Sequence, residues 1–290
     1  MLELMSFFLH HAFWLYLFVA ILSLCVGAFL NVVIFRMPRS IQQEWLNECK
    51  ILLYPEQSII DEEKINTGNH GSSCPCCGEQ IKWQKNISIV GWLSLKGQNR
   101  CDVCRYPISS GFPVIEFLTL FLSLAVVFVY GASLQTVFAL IFTWFLIALT
   151  FIDFDTQILP DRLTFTLLGL GLLVNSVNLF ALPTHSIWGA ILGFLSLWIV
   201  YFLFKAVTGK IGMGHGDFKL LAALGAWNGV SYILLIIILS AVLGAIFGLI
   251  QTRITKENKP FPFGPYLALA GWISLLWGEP IIAWYLGLFL

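Results

Sequence analysis

The chain has 290 residues, of which 58% are hydrophobic and only 11% are charged. Soluble domains carry about 25% charged residues, so this composition excludes a single soluble domain, a disordered chain and a small secreted disulfide scaffold. The 16 basic residues balance the 16 acidic ones, which gives no reason to expect nucleic acid as a partner.

The apolar stretches predict an all-α polytopic membrane protein. Residues 4–35 are uncharged. This stretch is too long for the apolar region of a cleavable signal peptide, so it predicts a first spanning helix. Residues 36–112 form a polar segment with 17 of the 32 charged residues. Further spans are predicted near residues 114–134, 136–152, 163–180, 187–207, 217–231, 233–251 and 264–288. This makes about eight transmembrane helices with a small domain between helices 1 and 2. Glu279 and Pro280 interrupt the last stretch, whose end either spans or lies at the interface.

Positive charges predict the orientation. With an external N-terminus, the cytosolic segments are 36–112, 153–162, 205–219 and 252–263, and they hold every Lys and Arg of the chain. Basic residues concentrate on the cytosolic side of membrane proteins, so the polar segment is expected in the cytosol. The expected domains are a first helix (1–35), a cytosolic domain (36–112) and a transmembrane domain (113–290).

Four cysteines of the polar segment have the spacing of a zinc site. Two CxxC pairs, Cys74 with Cys77 and Cys101 with Cys104, are separated by 23 residues. Paired thiolates at such a spacing suit tetrahedral Zn²⁺, and four sulfur ligands leave no open position, which predicts a structural metal. The alternative is a set of reduced, unligated thiols in the cytosol. Cys76 is a spare thiol that is also close enough to serve as a ligand.

Acidic residues are rare in the apolar part of the chain, so each one indicates a candidate site. Asp153 and Asp217 are predicted at the same cytosolic membrane level. Two facing carboxylates there can share a proton, so that one activates water while the other polarises a peptide carbonyl. Helix capping is the alternative for Asp217 and for Asp161, while Asp155 cannot share a helical face with Asp153.

Glycines precede the second of these aspartates. Gly212, Gly214 and Gly216 predict a turn that a substrate backbone can approach closely. Glycine-rich turns before helices also bind phosphate, but Asp217 would repel an anion and no GxxxxGK[ST] stretch is present. Lys219 is expected to extend towards the membrane surface. Asn31, deep in the first span, is expected to hydrogen-bond to another helix.

Six stretches occur in an order that is typical of one family. They are residues 27–38 (GAFLNVVIFRMP), the two cysteine pairs, residues 107–109 with 113–116, residues 153–161 (DFDTQILPD), residues 214–220 (GHGDFKL) and residues 263–267 (FGPYL). Together they resemble the motifs of bacterial prepilin peptidases, the type IV leader peptidases of the GxGD aspartic protease group.

The resemblance implies a concrete activity. Family members cleave basic leaders from type IV prepilins and type II secretion pseudopilins, after Gly and usually before Phe, at the cytosolic face of the inner membrane. Many then methylate the new N-terminus with S-adenosylmethionine. Carried onto this chain, the resemblance implies Asp153 and Asp217 as the catalytic pair, and the four paired cysteines as zinc ligands. The residues it implies as motif support are Asp155, Asp161, Gly214, Gly216 and Lys219.

The methyltransferase site is expected in residues 36–112, because no glycine-rich Rossmann fingerprint is present. Lys96-Gly97 resembles a family stretch before the second cysteine pair, which implies Gly97 as a cofactor-binding candidate. Here three residues, Gln98 to Arg100, separate Gly97 from Cys101, which departs from the family pattern. The expected partners are prepilins, pseudopilins and membrane lipid.

Two other classes of protein remain as alternatives. An ion-coupled transporter also uses intramembrane aspartates and glycine hinges, but its site is expected near the midplane and its halves are expected to show repeat symmetry. A zinc-dependent assembly factor without catalysis would tolerate Asp→Asn changes and fail on Cys→Ser changes.

Overall fold

The computed structural model describes residues 12–53, 103–104, 111–210, 212–255 and 262–287. Within these residues the chain is helical, with no strand. The helices, numbered α1 to α8 in chain order, are Ala12–Leu53, Gly111–Tyr130, Leu134–Thr156, Asp161–Asn175, Pro183–Thr208, His215–Asn228, Ile233–Thr255 and Gly264–Gly287. A short 3₁₀ turn, Val230–Tyr232, precedes α7.

Six of the described helices are long and apolar enough to cross a membrane: α1, α2, α3, α5, α7 (with the preceding 3₁₀ turn) and α8. The other two, α4 and α6, have 15 and 14 residues. A 14-residue helix is about 21 Å long, less than the roughly 30 Å of a hydrocarbon core. A multi-pass membrane protein is therefore confirmed, while the count of eight spans stays a prediction.

The first helix is longer than the sequence predicts. It continues past residue 35 and Pro38 to Leu53, and its 42 residues extend about 63 Å. From Ser40 onwards its side chains are mostly exposed. This part extends the helix beyond the predicted span, and hydropathy alone does not reveal it. The described residues group into two compact units, 17–122 and 123–287 with 12–16, and the division between them falls inside α2.

Within the unit 17–122, a polar contact joins α1 to α2. The Asn31 side-chain amide donates a hydrogen bond to Glu116 Oε1 at 3.3 Å, and both residues are buried. A Cβ at Gly27, one turn before Asn31, would lie 3.0 Å from the Glu116 Cα, so the two backbones are in close approach. The predicted interhelical hydrogen bond of Asn31 is confirmed.

Helix α6 is the core of the unit 123–287. Every residue from Asp217 to Asn228 except Lys219 is buried, and α6 packs against α4, α5 and α8. Glycines allow this packing on each side: Gly171 of α4 faces Trp227, Gly193 of α5 faces the Leu221 carbonyl, and Gly271 of α8 faces Leu224. Small residues permit such close approach between membrane helices, so a short helix can be enclosed by longer ones.

Candidate active site

Asp153 lies in the last turn of α3 and is 5% exposed. The helix ends at Thr156, and Gln157 adopts a left-handed conformation (φ +55°) whose N–H donates to the Asp153 carbonyl at 2.9 Å. Pro160 then precedes α4, where its fixed φ suits the start of a helix. The block from Asp153 to Asp161 is thus a helix end, a tight turn and a helix start.

Asp217 lies in the first turn of α6, three residues after the N-cap residue Gly214, and is 7% exposed. Its carboxylate interacts with the backbone N–H of Gly214. An acidic side chain at this position commonly reaches back to the N-cap amide, and the positive end of the helix favours its charge. The Asp217 carboxylate thus lies at the start of α6, where the capping alternative places it.

The structure brings the two aspartates into one neighbourhood, near enough for their charges to interact. Gly264, at the start of α8, completes it: a Cβ there would lie 2.6 Å from Asp153 Oδ2 and 3.3 Å from Leu159 Cδ1. A Cβ at Gly216 would lie 2.7 Å from Leu159 Cβ. The Leu159 side chain therefore packs against both glycines beside the carboxylates.

One oxygen of this pair is available for chemistry. Asp153 Oδ2 is buried and makes no well-formed hydrogen bond within the described residues, although the backbone N–H of Gly264 is near enough to act on the Asp153 carboxylate. A buried polar atom without a partner costs about 1–3 kcal/mol, so such atoms are rare unless they serve a site. Two buried carboxylates whose charges interact can share a proton between an acid and a base.

The other two predicted aspartates lie elsewhere. Asp155 is exposed, as expected from its spacing to Asp153. Asp161, the first residue of α4, forms an ion pair with Lys219, whose Nζ lies 2.6 Å from Asp161 Oδ1. The Asp161 side chain is 58% exposed and the Lys219 side chain 28%. Lys219 also lies over the Phe165 ring, at 5.3 Å from its centroid. Instead of extending alone to the membrane surface, Lys219 joins the start of α4 to the first turns of α6.

The glycines of the turn before α6 have different surroundings. Gly214 has an ordinary φ of −75°, and only Asp217 Oδ2, at 3.8 Å, lies near its Cβ position. Gly216 and Gly212 are limited by side chains, because a Cβ there would lie 2.7 Å from Leu159 and from Phe204 respectively. The glycine requirement at Gly212 and Gly216 is thus steric. Gly264 and Leu159 were not predicted as site residues, although they lie inside the family-like stretches 263–267 and 153–161.

The predicted zinc ligands Cys74, Cys77 and Cys101, and also Gly97, lie outside the described residues. Cys104 lies in a short turn and is partly buried. Among the residues described, no group of three or more His, Cys, Asp or Glu side chains is arranged to hold a metal ion.

Family models match the chain in two parts. Residues 140–249 match the type IV leader peptidase family, and residues 21–130 match the bacterial Peptidase A24 N-terminal domain. A prepilin leader peptidase/N-methyltransferase of Aeromonas hydrophila is 47% identical over 96% of each chain. Proteins of the same description from Stutzerimonas stutzeri and Pseudomonas aeruginosa are 46% identical over 92% and 43% identical over 98% of each chain. No solved structure matches the chain.

Proposed function

The chain belongs to the type IV leader peptidase family, and from this premise we propose that Asp153 and Asp217 are its catalytic pair. The protein is a membrane aspartic endopeptidase that cleaves the leader from prepilins and then N-methylates the product. Neither the family models nor the relatives support a transporter or an assembly factor without catalysis. The observation that carries the assignment of the pair is two buried, electrostatically coupled carboxylates with one oxygen unpaired.

The chemistry follows from two carboxyl groups that hold one proton between them. The ionised carboxylate removes a proton from water, and the water oxygen attacks the carbonyl carbon of the scissile peptide bond. The protonated carboxyl gives its proton to the carbonyl oxygen. When the tetrahedral intermediate collapses, the C–N bond breaks, the leaving amine takes the proton that came from water, and the carbonyl oxygen returns its proton to the pair.

The substrate approach that we propose uses the open side of the turn before α6. Gly214 is exposed, and among the described residues only the Asp217 carboxylate lies near its Cβ position. An extended substrate backbone can therefore come close to that carboxylate. We propose pseudopilins as further substrates, since they carry the same kind of basic leader.

The proposed membrane arrangement has eight spans in the bacterial inner membrane, with the N-terminus outside. It is supported by the position of all Lys and Arg residues in the segments that would face the cytosol. A basic leader stays in the cytosol by the same rule, next to Asp153 and Asp217. Membrane lipid then surrounds the apolar helices.

The experiment that tests the peptidase uses purified full-length protein in detergent and a peptide with a basic leader, Gly-Phe and an apolar stretch. Mass spectrometry follows loss of the leader with wild-type protein, with Asp217→Asn, and with Asp155→Asn as the matched control on an exposed carboxylate. We expect cleavage after Gly by the wild type and the control, and none by Asp217→Asn. Cleavage by folded Asp217→Asn at the wild-type rate would contradict the assignment of the pair.

Methylation uses S-adenosylmethionine, which supplies the methyl group when it is bound. We propose residues 36–112 as its location, with Gly97 as one contact. In the same assay, adding S-adenosylmethionine is expected to increase the mass of the cleaved product by one methyl group. Gly97→Ala is expected to lose this increase and to keep cleavage, and loss of both activities together would argue against a separate site.

We propose a structural zinc ion held by Cys74, Cys77, Cys101 and Cys104. The proposal rests on the two CxxC pairs, whose four sulfurs fill a tetrahedral shell. Elemental analysis of purified protein is expected to find one zinc per chain, lost in Cys104→Ser. The matched control is Cys49→Ser, an exposed thiol of α1, which is expected to keep the metal. Equal zinc in both variants would contradict the ligand set.

A further inference from the structure

A polar cavity lies within the unit 123–287, far from Asp153 and Asp217. It has a volume of about 230 Å³ and is lined by residues of α2, α3, α6 and α8 and of the connections next to them. Gln135 of α3 lines it, 18 residues before Asp153 on the same helix, which corresponds to about 27 Å. Asn228, at the last position of α6, lines it too, whereas Asp217 is in the first turn. The cavity and the catalytic pair are thus at opposite ends of the same helices.

A break in α8 forms one wall of the cavity. Trp277 has non-helical dihedral angles (φ −129°, ψ 16°), and Pro280 has no backbone N–H to continue the helical ladder. The Leu275 carbonyl accepts a hydrogen bond from the Tyr130 hydroxyl at 2.6 Å. The irregular segment is therefore tied to α2 by a specific bond, and the opening has a defined shape.

The buried polar atoms of the cavity need hydrogen-bond partners. Asn228 and Ser274 are 4% and 3% exposed, and Asn228 Oδ1 and Ser274 Oγ have no partner among the described residues. The Asn228 amide group already donates to the Leu224 carbonyl at 3.0 Å. The polar atom that Asn228 leaves without a partner is therefore an acceptor oxygen, which suits a ligand that donates hydrogen bonds.

The charge and the rings of the cavity favour a cation. Glu279 lines it from the broken part of α8, near enough for its charge to act on the Tyr232 hydroxyl. Aromatic rings of Tyr130, Phe180 and Tyr232 also line it. Aromatic faces and a carboxylate attract ammonium groups, and none of the described residues that line the cavity is Lys, Arg or His. An anion would find no positive partner in this lining.

We propose that this cavity binds a primary ammonium group. Glu279 provides the opposite charge, Asn228 Oδ1 and Ser274 Oγ accept its N–H groups, and the aromatic rings enclose it. The same chemistry is offered by a free small amine and by the headgroup of an aminophospholipid such as phosphatidylethanolamine. This proposal is independent of the peptidase assignment, because it concerns different residues and is tested by binding.

Isothermal titration calorimetry on the full-length protein in detergent tests both sources. The probes are ethanolamine, short-chain phosphatidylethanolamine, short-chain phosphatidylcholine and short-chain phosphatidylglycerol. We expect phosphatidylethanolamine to bind more tightly than phosphatidylcholine, which cannot donate N–H groups, and than phosphatidylglycerol, which has no cation. Binding of ethanolamine as well would identify a site for any primary amine, and binding of the lipid alone would identify a headgroup site; both outcomes support the proposal.

Variants connect the binding to the named residues. Glu279→Gln is expected to weaken binding about tenfold or more, because hydrogen bonds to a charged partner are the strong ones. Ser274→Ala changes a smaller group and is expected to weaken binding several-fold, which keeps the test valid if Glu279→Gln does not fold. The matched control is Glu48→Gln, an exposed carboxylate of α1, which should bind as the wild type does. The proposal is overturned if folded wild type binds neither ammonium probe, if phosphatidylglycerol binds as tightly as phosphatidylethanolamine, or if the folded variants bind as tightly as the control.

Discussion

The two ends of α6 differ in how their buried polar groups are paired. At its C-terminal end, Asn175 of α4 donates to the carbonyls of Ala226 and Trp227 and accepts from the backbone N–H groups of Phe180 and Ala181. At its N-terminal end, Asp217 lies beside Asp153, whose Oδ2 has no partner in the described part of the chain. The Asn175 amide at one end is saturated with hydrogen bonds, and the Asp153 carboxylate at the other end is not.

We propose that this difference separates residues that hold the fold from residues that carry out chemistry. A buried amide with four good hydrogen bonds stabilises the positions of the segments that it joins. A buried carboxylate oxygen without a partner lowers stability, and it is retained where it binds a proton, water or substrate. The same criterion marks Asn228 and Ser274, next to the saturated end, as the lining of a second site.

The largest expected effect is on catalysis at the unsaturated end. Asp153→Asn keeps the size of the side chain but removes the group that exchanges a proton with water. We expect leader cleavage to fall by a factor on the order of 10³ or more, as for other catalytic residues that act as a unit. Cleavage rates measured by mass spectrometry, with thermal unfolding beside them, check this.

The stability of Asp153→Asn should not fall together with its activity. Removing an unsatisfied buried carboxylate is not expected to lower the melting temperature of Asp153→Asn. A variant that loses both cleavage and folding would show that Asp153 is a structural residue, and the two ends of α6 would then not differ in kind.

The next effect is on stability at the saturated end. Asn175→Ala removes four hydrogen bonds. Two of them go to the carbonyls of residues 226 and 227, and two come from the backbone N–H groups of residues 180 and 181. We expect the free energy of unfolding to fall by about 2–4 kcal/mol. Thermal unfolding in detergent checks this, and the folded fraction should still cleave. An unchanged melting temperature would mean that water replaces the four bonds.

Most helices follow from the sequence because their apolar runs are long. The predicted spans 136–152, 187–207 and 264–288 correspond to α3, α5 and α8 within a few residues. The extension of α1 to Leu53 was not predictable from hydropathy, because charged residues from Arg36 to Lys50 interrupt the apolar run. The predicted stretch 163–180 is longer than α4, which ends at Asn175, whereas the predicted stretch 217–231 is as short as α6.

The two aspartates of the candidate site could be singled out from the sequence for a similar reason. Asp153 and Asp217 are conspicuous as acids in apolar surroundings, and the hydrogen bond from Asn31 also follows from a polar residue inside a span. Gly264 and Leu159 gave no such signal, because their role depends on contacts between α8, α6 and the turn after α3. Lys219 was expected at the membrane surface, since nothing local indicates a partner 58 residues away.

A smaller effect is expected from crowding the pair without changing its chemistry. In Gly264→Ala the new Cβ would lie 2.6 Å from Asp153 Oδ2, so the carboxylate must move. We expect kcat for leader cleavage to fall about tenfold to a hundredfold, because displacements near 1 Å can cost that much. The matched control is Gly169→Ala, where nothing lies within 4 Å of the new Cβ. Equal activity in the two variants would show that the Asp153 carboxylate adapts freely.

The smallest effect is expected at the ion pair between Lys219 and Asp161. The pair is close, at 2.6 Å, but Asp161 is largely exposed, and exposed ion pairs contribute about 0–1 kcal/mol. Asp161→Asn should therefore leave the melting temperature within a few degrees of the wild type and reduce cleavage only several-fold, more strongly at low salt than at high salt. If Asp161→Asn instead abolished cleavage as Asp153→Asn does, Asp161 would have to belong to the catalytic group. The distinction between paired and unpaired acids would then not identify which aspartates do the chemistry.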